Sequence, residues 1–290
     1  MSGMSDWLPL DWLEQGVPLG EWVNISVTYL ERTFATSFDT FSSTALALIE
    51  GLNTLLAFLP FWLTITLVAV TLWRMSNLHT AVLSTVGLLL VVNLELWNAF
   101  LLTLTLVLSS EVVIILLGIP LGILMALSGP AEKILKPVLD FMQTMPSFVY
   151  LIPAVTFFGL GLVPGMVATV IFAMPPLVRL TSLGIRQVPK DILEASDAFG
   201  GTRTQRLIKV QLPVAMPTLL AGVNQSIMLS LSMVVIAALI GAGGLGQEVI
   251  RGMNTLDIGL GFEAGLAIVI MAIVLDRLTQ GLRRQRERDT

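Results

Sequence analysis

The feature that most constrains this chain is the length of its uncharged stretches. Phe141–Val178 and Val210–Gln247 are each 38 residues without Asp, Glu, Lys or Arg. A soluble domain has no use for such runs, because its helices need a charged outer face. Only 12% of the 290 residues are charged, and mean hydropathy is +0.86. Such a chain is an all-α polytopic membrane protein. Disorder is excluded by the hydrophobicity, and a disulfide scaffold by the lack of cysteine.

Spans follow from the gaps between charges. A crossing helix needs about 20 apolar residues. Gly51–Trp73 gives one span, Met75–Leu94 a second and Leu96–Leu127 a third, interrupted by Glu111 and Pro120. Phe141–Val178 would extend roughly 57 Å as one helix, too far for a single crossing. It must fold back, and the run from Gly159 to Gly165 is the turn between spans four and five. Span six lies within Val210–Gln247, and Ala264–Thr279 makes the seventh. Fourteen of the sixteen Lys and Arg residues fall on one side of this arrangement. The positive-inside rule makes that side cytoplasmic, with the C-terminus inside and the N-terminus outside.

Residues 1–50 differ from the rest. They carry seven acids and one base, Arg32. Val23, Val27, Leu30, Phe34, Phe38, Phe41, Ala45 and Leu48 recur at spacings of three and four, predicting an amphipathic interfacial helix. It is either a scaffold on the outer face or a plain anchor. The reading divides into an external segment (1–50), a transmembrane domain (51–281) and a cytoplasmic tail (282–290).

The most informative polar stretch is the loop between spans five and six, about 189–213. Asp191 with Glu194 has the spacing of a capping box, and so has Thr202 with Gln205. Gly200 and Gly201 end the first helix, and Pro213 separates the second from span six. The pattern predicts a capped hairpin, either presenting a surface to another protein or closing on itself. Glu194-Ala195-Ser196, then Gly200, then Val210-Gln211-Leu212-Pro213 resembles the E-A-A, G, I-x-L-P motif of permease subunits of ABC importers. Leu139–Pro153, Gly184–Pro189, Ala221–Gln225, Leu231–Ala237 and Leu275–Gln280 narrow the resemblance to glycine betaine, proline betaine and choline permeases.

The resemblance implies the type I ABC importer permease fold and a place in a bacterial inner membrane. It implies an ATPase-coupling role for Glu194, Ala195, Ser196, Gly200, Leu212 and Pro213. A second copy of the permease, a cytoplasmic ATP-binding subunit and an external substrate-binding protein would be the partners. The chain itself would be non-catalytic. It has no G-x-x-x-x-G-K-[ST], so ATP and Mg would be bound by the partner. Its one histidine, His79, without cysteine, makes no metal site.

Gly241-Ala242-Gly243-Gly244-Leu245-Gly246 fits G-x-G-x-x-G but follows a membrane helix, so it reads as a tight external turn. Glu111, inside span three, faces the pathway or bonds Ser109, Ser110 or another span. Phe148, Tyr150, Phe157 and Phe158 offer ring faces to a quaternary ammonium or pack against lipid and neighbours. The competing functions are an ABC permease for another small solute, such as an amino acid, and an ion-coupled secondary transporter. The latter needs more intramembrane charge than Glu111 alone.

Overall fold

The computed structural model describes the backbone of residues 18–289 and the side chains of residues 18–281. The part of the acidic segment before Pro18 and the side chains of the tail, 282–290, lie outside the described residues. The described residues are helical, joined by short turns, with no strand among them.

Helix α1 runs from Leu19 to Phe58, with non-helical dihedrals at Phe34. It takes in the first part of what the charge gaps give as span one. The break comes at Leu59, which is extended (φ −80°, ψ 127°) before Pro60. A proline ring crowds the preceding residue out of the helical region and supplies no N–H. Helix α2 is then Phe61–Met75, and α3 is Leu78–Asn93, capped by the Asn77 side chain. At 15 and 16 residues they reach only about 22–24 Å. By length and apolarity α1 is itself long enough to cross a bilayer. Expected as one surface helix followed by one span, residues 19–75 are therefore a 40-residue helix followed by a short one.

Helix α4, Trp97–Leu127, passes through Pro120 without ending. Helix α5, Gly129–Thr144, is capped by Ser128. A 3₁₀ turn, Ser147–Tyr150, leads into α6, Leu151–Phe158, and the two arms of this pair are bent by 108°. The expected fold-back is present: α6 stops at Gly159 (φ 75°) and α7, Leu162–Arg186, returns. Then come α8, Lys190–Ala198, the single turn α9, Arg203–Arg206, a π turn, Leu207–Gln211, and α10, Leu212–Ala238. Helix α11 is Gly244–Thr255, and α12 is Ile258–Asp289. Among the described residues five helices are long and apolar enough to cross a membrane, six if the bent pair is one span, with two shorter apolar helices beside them, roughly the number expected.

Helix α7 is the centre of the bundle, flanked by α4 and α10. Lipid is as apolar as leucine, so close fit rather than hydrophobic burial joins such helices. Here small residues permit it. A Cβ on Gly122 of α4 would lie 2.5 Å from Thr181 Cβ, and one on Gly222 of α10 would lie 3.1 Å from Leu177 Cα. Ile114, Met166 and Leu177 fill the space between α4 and α7. Phe100, Val107, Leu231, Leu245 and Met271 join α4, α10, α11 and α12. At one end of the bundle Arg186 donates to Glu132 at 2.9 and 2.8 Å and to the Met125 carbonyl, tying α7 to α5 and α4.

Candidate functional site

The first helix of the hairpin at residues 190–213 has no buried residue, while Leu207 and Leu212 at its far end pack against Ile185, Ala215 and Leu219 of the bundle. That first helix starts without a side-chain cap: Pro189 takes the cap position, and Asp191 lies inside the first turn. Asp191 therefore does not form the expected capping box with Glu194. Its charge meets the positive end of the helix dipole instead. The C-terminal end is a Schellman motif. Gly200 N–H donates to the Asp197 carbonyl at 3.0 Å and Gly201 N–H to the Ser196 carbonyl at 3.1 Å. Gly200 sits at φ +76°, where a side chain is strained.

The second helix has the reciprocal capping box. Gln205 N–H donates to Thr202 Oγ1 at 3.3 Å, and Thr202 N–H donates to Gln205 Oε1 at 2.9 Å. Arg206 bridges back with one nitrogen on both Asp197 oxygens, at 3.0 and 2.7 Å. Pro213 does not separate this helix from the span. Arg203–Ala238 is one continuous helical path of 36 residues. The π turn at Leu207–Gln211 loosens the ladder ahead of Pro213, where a plain α-helix would leave a carbonyl without its N–H.

Glu194, Ala195 and Gly200 are exposed, Ser196, Leu212 and Pro213 half-buried. Beside them is an apolar patch that the motif alone did not reveal. Phe199 is 93% exposed, and Ile192 and Ile208 are exposed with it. A groove of about 400 Å³ runs between Ile192, Ala195, Ser196, Phe199, Lys209 and Val210. The sequence signal was the hairpin's lone aromatic, set just before a glycine pair.

The residues singled out inside the membrane lie in three places. Glu111 is buried between α4 and α10, with Ser226 Oγ 2.6 Å from Oε1 and no partner on Oε2. Phe148 and Tyr150 belong to the elbow between α5 and α6. Phe148 is exposed, and Tyr150 Oη donates to the Met142 carbonyl at 2.5 Å. Phe157 stacks on Phe38 of α1 at 4.7 Å between centroids, and Phe158 meets Phe38 edge-on at 5.6 Å. One face of the Phe157 ring is thus covered by α1.

The glycine cluster sits at the other end of α10 from the hairpin. Gly241, Gly243 and Gly244 all have positive φ. Leu245 N–H donates to Thr103 Oγ1 at 2.8 Å, and Gly161 N–H to the Ile240 carbonyl at 2.9 Å. Its glycines thus serve a packed turn that follows a helix, not a strand.

Residues 118–289 match the family of binding-protein-dependent transport system inner membrane components. The chain belongs to this family. The permease is 49% identical over 267 residues to the glycine betaine transport system permease protein OpuAB of Bacillus subtilis, covering 92% of this chain and 95% of the relative. It is 50% identical over 273 residues to the glycine betaine/carnitine transport permease protein GbuB of Listeria monocytogenes, covering 93% and 96%. It is 47% identical over 268 residues to the glycine betaine/proline betaine transport system permease protein ProW of Escherichia coli, covering 92% and 76%. Among solved structures, a chain of the MetNI methionine ABC transporter in an inward-facing conformation aligns with TM-score 0.60 at 20% identity, covering 64% of the permease and 93% of that chain. The permease therefore has the fold of an ABC importer's membrane subunit, and it is a multi-pass inner-membrane component.

Proposed function

We propose that this permease is the membrane-spanning subunit of an ATP-driven importer of glycine betaine and related methylated amines such as choline and proline betaine. The observation that carries the solute class is near-half identity along more than nine tenths of the chain to permeases named for glycine betaine. The hairpin supplies the mechanical half of the reading. Glu194, Ala195, Ser196, Gly200, Leu212 and Pro213 shape a docking face for an ATP-binding subunit, and Phe199 is its apolar knob. ATP and Mg bind on that subunit, so this chain performs no chemistry of its own. An external binding protein delivers the solute, and a second copy of the permease completes the passage. The charge asymmetry supports the hairpin and the C-terminus inside, with the N-terminus outside.

The test is uptake by cells carrying the complete transporter, against cells lacking this chain. The panel is labelled glycine betaine, choline, proline betaine, carnitine and trimethylamine N-oxide. The last two are included because relatives at 50% and 42% identity are named for their transport. Permease-dependent uptake of a methylated amine is expected. Uptake of an amino acid such as methionine, with no methylated amine carried, overturns the solute assignment.

A further inference from the structure

A guanidinium within an apolar helix must face opposite charge, water or a cavity, because lipid offers it nothing. Arg179 lies in α7, two turns before its end. Its NH2 bonds Asp140 Oδ1 of α5 at 2.5 Å, and its buried Nε has no partner. Beside it is a recess of about 430 Å³ between α5, α7 and α10. Gln143 and Gln225 supply amides to its wall, and Pro176 and Leu229 supply apolar surface. Asp140, Gln143 and Gln225 are exposed. Three helices thus turn two charges and two amides to one face, which suits water and solute and not lipid.

The order of groups resembles the inverse of a zwitterion. An arginine with neighbouring amides receives a carboxylate in forked hydrogen bonds. Asp140, freed from Arg179, then faces the cationic end. A quaternary ammonium has no N–H to satisfy, so it needs only negative charge and apolar contact. The Arg179 and Asp140 side chains are 39% and 52% exposed, so water screens their bond and exchanging it for a ligand costs little. We propose that this recess is a transient, low-affinity site for a zwitterionic methylated amine on its way through the membrane, with Arg179 taking the carboxylate. The site rests on the substrate reading above. Weak binding suits a passage, which must release what it admits.

This chain contains no cysteine, so Gln225→Cys and Gln143→Cys each give it one thiol, read on the permease band after the subunits are separated. In membranes carrying the complete transporter, a charged, water-soluble thiol reagent is expected to modify both. Glycine betaine should slow modification, and choline, which has no carboxylate, should slow it less. A thiol that the charged reagent cannot reach, or whose modification neither solute changes, overturns the site. Arg179→Gln should lower glycine betaine uptake roughly tenfold relative to choline uptake, the effect of losing one charged hydrogen bond. Equal loss of both solutes, restored by exchanging the pair (Asp140→Arg with Arg179→Asp), would make it a structural bridge and overturn the site. Wild-type uptake is read first. If it carries no methylated amine, the substrate reading and the site both fall. If it does and the thiols go unprotected, only the site falls.

Discussion

The α4–α7–α10 core and the hairpin at residues 190–213 hold their shapes by opposite means. In the core, residues far apart in sequence meet through missing side chains: Gly122 against Thr181, Gly222 against Leu177. In the hairpin nearly every constraint is local. The Schellman bonds, the capping box and the Asp197–Arg206 bridge all join residues within ten positions of each other. At Gly122 and Gly222 the core has no room for a Cβ, whereas Phe199 is left outside altogether. The lesson is that damage to the first should remove the protein, and damage to the second should leave a folded permease that cannot work.

The largest effect is expected from Gly122→Leu. Its Cβ would sit 2.8 Å from the Val178 carbonyl as well as against Thr181, and backbone cannot swing aside as a side-chain tip can. Overpacking of this kind costs about 1–3 kcal/mol or more. Little monodisperse protein should be recovered in detergent. Normal recovery would show that the α4–α7 contact is loose, and the contrast drawn above would fail.

Phe199→Ala comes next and tests the other side. The side chain touches almost nothing in the permease, so yield and melting temperature should match wild type. Co-purification of the ATP-binding subunit should fall about 30-fold, the effect of losing an interface anchor worth roughly 2 kcal/mol. Unchanged co-purification would move the docking face elsewhere.

Gly200→Val is a smaller perturbation of backbone. At φ +76° a side chain costs about 1–2 kcal/mol. Insertion should be normal and uptake strongly reduced, because the turn reshapes the groove beside Ser196. Wild-type uptake would show that the turn geometry is irrelevant to coupling. Thr202→Ala should do least. Losing the cap costs about 1 kcal/mol, confined to the start of the second helix. Amide exchange should quicken several-fold at Gln205 while α7 stays protected. Faster exchange in α7 would mean that the hairpin and core are not independent.

How much of this was legible from the chain depends on the kind of constraint. Charge gaps and glycine placement locate α4, the Gly159 turn, α7 and α12, because desolvating a charge is costly enough to dominate every competing preference. Thr202 and Gln205 also predict their own geometry, since capping is decided within four residues. Asp191 shows the limit of that logic. Its spacing to Glu194 fits a box, yet the helix begins at Lys190 with the extended Pro189 (ψ 139°) at the cap position, so Asp191 falls inside the first turn. At Pro60 the charge gap was silent, and the mark of the helix end was the proline itself, which pushes Leu59 out of the helical region. Pro146 marks the break at the elbow, but its 108° angle and the opening beside Arg179 were not legible, for a further reason. They depend on where three helices stand relative to each other, and nothing local records that.

The π turn at Leu207–Gln211 has one more consequence. It joins the hairpin to α10 without a flexible joint, while holding one residue more than a regular turn would. Each residue of an α-helix advances the phase by about 100°. Taking one residue out of Leu207–Gln211 would change the angle between α10 and the hairpin by about that much. Gly222 against α7 and Ser226 against Glu111 hold α10 in place, so the hairpin would take the turn, and Phe199 with it. Five residues thus set the direction in which the hairpin faces, as a keyway sets the timing of a shaft.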